Sequence, residues 1–374
     1  MSEPLRQPLL RVEDLKTHFQ TQRGVVRAVD GVSFELAEGE TLGVVGESGS
    51  GKSVLSRSIM NLLPKRGVIR HGTVTFDDRV TTSMNSKDSR KLYGTGMSMI
   101  FQDPMTSLNP VVKIGRQITE SLRLHFDMTK DFANDTAEEL LRSVGIPEPR
   151  QRLSEYPHQL SGGMRQRVVI AIALACGPKL LFADEPTTAL DVTVQQQILN
   201  LLGRQRRERR MAMILVTHDL GVVAGRTDEI MVMYAGQAVE KASTLSLFTN
   251  MRHPYTEALL RSIPKTSNPS HTRLEAIPGR PPNLIAPPPG CRFAPRCTYA
   301  TEQCHNEPPP LIEDAHDPGH LYRCWHPVSI SISTAKLTAA AKPVLVGAAA
   351  TGLAARDPVG ILASVQTIKD PGAL

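Results

Sequence analysis

Residues Gly46, Glu47, Ser48, Gly49, Ser50, Gly51, Lys52 and Ser53 fit G-x-x-x-x-G-K-[ST] in full. They sit between an apolar run, "TLGVV", and a helix-forming stretch, "SVLSRSIMNLL". In such a loop backbone N–H groups turn inward around phosphate oxygens, because glycine carries no side chain to block the approach. The helix that begins there adds partial positive charge at its N-terminus. Lys52 is expected to reach the β- and γ-phosphates of a nucleotide, and the Ser53 hydroxyl to ligate Mg2+. A purely structural glycine turn is the bland alternative, and the strand before and helix after weigh against it.

Two further apolar runs end in reactive groups. "KLLFAD" closes on Asp184 with Glu185 next, and "AMILVT" is followed by His218. Asp184 suits orienting Mg2+ through its water shell, Glu185 suits activating an attacking water, and His218 suits contact with a γ-phosphate. Singly, a strand-end acid reads equally well as a helix cap and a lone histidine as structural. Beside a phosphate loop they form a set, because ligands of parallel α/β sheets collect beyond the carboxyl ends of strands.

These runs are apolar throughout, as strands buried on both faces of a helix-covered parallel sheet must be. Residues 9–80 instead alternate in part, which predicts an additional antiparallel sheet. Between "FQDP" and "SGG" at 161–163 the pattern turns helical, as in "DTAEELLRSVG", predicting a helical subdomain over about 103–160. Past Ile263 the composition changes: eight prolines fall within 264–290, favouring extended chain. From about 327 there is no aromatic residue and alanine dominates, so residues 327–374 read as a weakly ordered tail.

The 374 residues suffice for one large α/β domain and a smaller appendage. A net charge of +6 allows an anionic partner. The densest basic stretch, "RQRRERR" at 204–210, has no interleaved aromatics and reads as a solvated helix face rather than a nucleic-acid surface. No signal peptide opens the sequence and no apolar run is long enough to span a bilayer, so a cytoplasmic protein is expected.

The ordered set "GESGSGKS", "FQDP", "LSGGMRQR", "LLFADEP", "TALD", "VTHD" resembles the ATP-binding subunits of ABC transporters, over residues 9 to about 240. From about 231 to 326, "MYAGQAVE", "HPYTEALLRSIP", "IPGRPPNL", "PPPGCRFAPRC" and "GHLYRCW" resemble the C-terminal signature of oligopeptide/dipeptide importer ATPases. The resemblance implies an α/β ABC-type P-loop NTPase over 9–263, with a parallel sheet core, an antiparallel β subdomain and the helical insertion. Residues 264–326 would form a small cysteine-containing extension. It also implies a head-to-tail dimer in which Ser161, Gly162 and Gly163 of one chain complete the ATP site of the other. That accounts for a second glycine-rich helix start without a lysine. Phe19 would stack on adenine, Gln102 would link Mg2+ or the attacking water to the helical insertion, and Asp191 would touch the partner. Met164 stands where the family most often has glutamine.

The implied reaction is ATP + H2O → ADP + phosphate, powering peptide uptake. Implied partners are a paralogous ATP-binding subunit, two transmembrane permease subunits and an extracytoplasmic solute-binding protein. These would hold the chain at the cytoplasmic face of the inner membrane. Nickel, glutathione or another small solute stands as alternative cargo. A soluble ABC ATPase acting on nucleic acid or ribosomes is the reading from a different class; its usual tandem domains and long coiled coil are not visible in the sequence.

Of five cysteines, Cys176 lies alone in an apolar helical stretch and reads as core. Cys291, Cys297, Cys304 and Cys324 follow the spacing C-x5-C-x6-C-x19-C. Disulfides are disfavoured in a cytosolic protein. Zinc usually takes paired C-x2-4-C knuckles, absent here, although His305, His320 and His326 offer further ligands. The irregular spacing suits a [4Fe–4S] cluster, and the resemblance points the same way. Zinc and merely packed thiols remain as alternatives. Either metal would act chiefly as a staple for a segment with little core of its own.

Overall fold

The structure, a computed structural model, describes residues 7–64, 66–188, 190–263 and 277–328. The expected tail, apart from residues 327 and 328, and the first half of the proline-rich stretch lie outside the described residues.

In chain order the strands are β1 (Leu10–Thr21), β2 (Gly24–Leu36), β3 (Thr41–Val45), β4 (Val68–Phe76), β5 (Arg79–Val80), β6 (Met97–Ile100), β7 (Leu180–Asp184), β8 (Ala212–Thr217), β9 (Glu229–Tyr234), β10 (Gln237–Ser243), β11 (Ile312–Asp314) and β12 (Asp317–Tyr322). The helices are α1 (Lys52–Ile59), α2 (Ser86–Leu92), α3 (Pro104–Ser107), α4 (Ile114–His125), α5 (Lys130–Ser143), α6 (Pro149–Arg152), α7 (Gly162–Leu174), α8 (Val192–Arg209), α9 (Leu220–Val223), α10 (Thr244–Thr249), α11 (Pro254–Arg261) and α12 (Glu302–Asn306). Among the described residues, chain contacts give two compact units, one within 7–83 and 214–328 and the other within 84–213.

The first unit holds an antiparallel sheet ordered β2-β1-β4-β5. Leu10, Val12, Leu15 and Thr17 of β1 are buried. The alternation slips between Val12 and Leu15, where the register with β2 shifts and Asp14 takes φ 44°. The same unit holds strands ordered β11-β12-β10-β9-β3-β8. β3 and β9 run parallel, and every residue of β3 is buried, as its unbroken apolar sequence requires. β10 pairs antiparallel with β9 on one side and with β12 on the other, Glu240 opposite Tyr322. The cysteine-bearing extension is therefore anchored as part of this sheet.

In the second unit β6 and β7 pair in parallel, Ile100 opposite Ala183, and all five residues of β7 are buried. The helical stretch contains α3 to α6. α4 buries Ile114, Ile118 and Leu122, and α5 buries Ala133, Ala137, Leu140 and Leu141, one apolar stripe on each helix. Thr129 caps α5 through the Phe132 amide. Cys176 is buried as expected, but it lies just beyond the C-terminus of α7 and not within a helix; burial pushes its thiol up to about 12. The basic run lies at the end of α8, where Arg209 donates to the Leu174 carbonyl.

Candidate active site

β3 ends at Val45 and α1 begins at Lys52, with six residues of the eight-residue motif between them and the last two, Lys52 and Ser53, on the helix. Two glycines are forced by the backbone around them. A Cβ on Gly46 would lie 2.1 Å from the Met233 carbonyl oxygen, and one on Gly51, at φ 104°, would lie 2.2 Å from that of Ala28. The loop is thus pressed against β2 and β9, and only glycine fits. Lys52 is 5% exposed, and its ammonium donates to the carbonyls of Gly46 (2.7 Å) and Glu47 (3.0 Å). Its charge therefore stands inside the loop at the N-terminus of α1, where an anion is favoured. Ser50 is buried and its carbonyl accepts from the Gly236 amide at 2.9 Å. Ser53 follows on the first turn of α1.

In the same unit Phe19 is half-buried on β1, between Val26 of β2 and Val68 of β4. His218 is exposed directly after β8.

Several residues that hold the loop were not anticipated. The Tyr255 hydroxyl accepts from the Glu47 amide at 2.8 Å. The Glu47 carboxylate is gripped by Arg296, with contacts of 2.6 and 2.9 Å. Tyr234, Tyr255 and Phe293 pack together with ring centroids 4.5 to 5.3 Å apart. Their only sequence signal was the C-terminal signature itself, which names no role.

In the second unit β7 delivers Asp184, fully buried, and then Glu185 at φ 46°. A non-glycine residue in that region costs about 1–3 kcal/mol and such strain clusters at functional positions. One Glu185 carboxylate oxygen accepts from Gln102 Nε2 at 3.0 Å and from the Thr188 hydroxyl at 2.9 Å. Gln102 is exposed, just before the Asp103 cap of α3. Ser161 is the N-cap of α7, its hydroxyl accepting from the Met164 amide at 3.3 Å; Ser161 and Gly162 are exposed and Gly163 is partly so. Buried Gln166 of α7 donates to the Pro186 carbonyl at 2.7 Å, tying this helix to the segment after β7. Asp191 is exposed and caps α8 through the Val194 amide.

Cys291, Cys297, Cys304 and Cys324 are free thiols that line one cavity, with His253, Phe293, Tyr299, Trp325 and His326. Burial, and repulsion between neighbouring thiols, push Cys291 and Cys297 up and Cys324 to about 12. Among the described residues no three His, Cys, Asp or Glu side chains close on one point as single-ion ligands do. The possible histidine ligands separate. His326 lines the cavity, whereas His305 does not. His320 is turned away, fully buried between Glu240 (2.7 Å) and Asp317 (3.0 Å). Buried Glu240 and partly exposed Asp317 claim it, and it is not available to the thiols.

The phosphate loop, the helix it opens and the parallel strands define a P-loop nucleotide-binding protein. The family model for "ABC transporter" matches residues 29–188, and that for "Oligopeptide/dipeptide transporter, C-terminal region" matches 239–304. The chain is 50% identical over 318 residues to the oligopeptide transport ATP-binding protein AppD of Bacillus subtilis, covering 85% of this chain and 96% of that one. It is 49% identical over 320 residues to OppD of Salmonella typhimurium, an oligopeptide transport ATP-binding protein, covering 86% and 94%. Among solved structures it is similar to the dimeric ATP-binding cassette MJ0796 in a post-hydrolysis state with ADP and phosphate: TM-score 0.57, 26% identity, 63% of this chain and 98% of that one. This chain belongs to the ATP-binding subunits of ABC transporters, in the oligopeptide/dipeptide importer family. Among the described residues no helix is long and apolar enough to cross a membrane.

Proposed function

We propose that the chain hydrolyses ATP to drive import of oligopeptides or dipeptides through a separate membrane permease. The observation that carries this reading is the loop of Gly46 to Ser53, pressed into place by backbone contacts and holding Lys52 at the head of α1. The peptide cargo is supported by the C-terminal region that matches over 239–304 and by the relatives' names.

Loop amides and Lys52 bind the phosphates, and Phe19 stacks on adenine. Ser53, Asp184 and Gln102 would hold Mg2+, which when bound neutralises charge on the phosphates. Glu185 takes a proton from the attacking water as its oxygen bonds to the γ-phosphorus and the bond to ADP breaks. Gln102 and Thr188 fix the carboxylate in place. His218 contacts the γ-phosphate. Ser161, Gly162 and Gly163 serve the nucleotide of a second, paralogous ATP-binding chain, with Asp191 at that contact. The dimeric state of the similar solved cassette supports this arrangement. Two permease subunits and a solute-binding protein complete the assembly, at the cytoplasmic face of the inner membrane.

Cys291, Cys297, Cys304 and Cys324 would hold a [4Fe–4S] cluster. Four thiols on one cavity with no disulfide among them fit a cubane, whose irons take one sulfur each. Zinc, which would need its sulfurs within about 2.3 Å of a single ion, is the alternative group. Either group would act as a staple, and it would take as thiolates Cys291, Cys297 and Cys324, which burial otherwise holds protonated.

The test is hydrolysis by the purified chain alone, then with its partner ATPase and the permease pair. The isolated chain is expected to be a poor ATPase and the assembly an active one. Full activity from the isolated monomer would overturn the shared-site reading. Lys52→Ala should abolish nucleotide binding in either setting.

A further inference from the structure

The turn from Cys291 to Cys297 carries two kinds of side chain. Its thiols line the cysteine cavity, while Arg292 and Arg296, each only 8% exposed, reach back toward the phosphate loop. Arg296 Nη1 and Nη2 clasp the two carboxylate oxygens of Glu47 at 2.6 and 2.9 Å. The remaining donors go to the Tyr234 hydroxyl (3.2 Å), the Pro278 carbonyl (2.7 Å) and the Ile277 carbonyl (3.3 Å). All five N–H donors of the guanidinium thus have acceptors, which fixes its plane and its fork. Arg292 pairs with Asp30 and donates to the Ala235 carbonyl, and the next residue, Gly236, donates to Ser50 of the loop. One turn of the C-terminal extension therefore braces both halves of the loop.

A carboxylate at the second position of a phosphate loop is chemically awkward. A nucleoside triphosphate brings several negative charges to the same few ångströms, and like charges at that range repel strongly in a partly desolvated site. An ion pair with Arg296 buried and Glu47 only partly so adds little net stability, since desolvation and screening offset attraction. Its worth here is to neutralise Glu47 and hold its carboxylate off the phosphates.

We propose that Arg296 is a positioning residue for nucleotide binding, acting through Glu47, so that the C-terminal extension sets the affinity of the phosphate loop. This rests on the ATP reading above. The test uses the full chain and a fluorescent ATP analogue with Mg2+. Arg296→Gln removes the charge and most of the five donors while leaving a polar side chain, and is expected to weaken binding roughly tenfold. Adding Glu47→Gln removes the unpaired carboxylate and should restore affinity to within about threefold of wild type. Arg296→Lys, which keeps the charge, should bind better than Arg296→Gln, and it carries the comparison if the glutamine variant does not fold. A purely structural role for Arg296 would give no rescue, because the double variant lacks the same contacts. Binding by Arg296→Gln within twofold of wild type, or a double variant as weak as the single one, overturns the proposal. A wild-type chain that binds no ATP overturns the nucleotide reading itself, and the Lys52→Ala control tells the two failures apart.

Discussion

Gln102 Nε2 lies 3.0 Å from Glu185 Oε2, bridging 83 positions of sequence. The bond joins the start of the helical stretch to the acid that follows β7, and Thr188 braces the same oxygen at 2.9 Å. A carboxylate held in this way, on a strained backbone, can accept a proton without first reorienting.

Glu185→Gln is expected to leave ATP binding intact and to lower turnover about a hundredfold to ten-thousandfold, the usual range for a general base. Glutamine keeps the shape and can still bond to Thr188, but takes no proton. Phosphate release measured beside nucleotide binding checks this. Turnover within a few-fold of wild type would remove Glu185 from the role.

Gln102→Ala should lower turnover about tenfold, because it frees the carboxylate without removing it, and should cost less in ATP affinity, because Ser53 and Asp184 would still hold Mg2+. A titration of KM against kcat in the assembled transporter separates the two effects. A rise in KM alone would mean that Gln102 only binds nucleotide.

The phosphate loop and the strands β3, β7 and β8 were legible because spacing and unbroken apolar runs are local signals. β12 was not, since "DPGHLY" contains proline and glycine and earns its strand by pairing with β10 and β11. Arg296 was illegible for another reason. Its partner lies 249 positions away, and nothing near either residue marks an ion pair. With His305 and His326, His320 offers a possible metal ligand by residue type, yet β12 turns it to Glu240.

His320 supplies a pH signature. Burial lowers its pKa, but Glu240 and Asp317 outweigh this and hold it above the usual histidine value. Ser246, Arg252, His253 and Asp314 complete the surroundings. With a raised folded pKa, the stabilisation is complete below about 6.5 and is lost as pH rises through the folded value. Removing one partner of such a buried pair costs about 3–5 kcal/mol. The melting-temperature gap between wild type and His320→Gln should therefore be widest near pH 6 and narrow toward pH 9. His253, which burial lowers to about 4, acts at the acid end in both proteins and largely cancels in the difference. A gap that widens with pH would contradict the assignment.

Anaerobically purified chain should be brown and carry iron with acid-labile sulfide, and Cys297→Ser should lose both. Loss of the metal should also lower the melting temperature by several degrees, since the staple holds a segment of little core. Colourless protein holding one zinc after anaerobic reconstitution would decide for the other metal.

Peptide-dependent hydrolysis addresses the central claim most directly. The chain, its partner ATPase and the permease pair are reconstituted in liposomes with the solute-binding protein, and phosphate release and peptide uptake are followed together. Both should rise when peptide loads the binding protein, and both should collapse in Glu185→Gln. Hydrolysis indifferent to peptide, or uptake that persists in Glu185→Gln, would contradict the account.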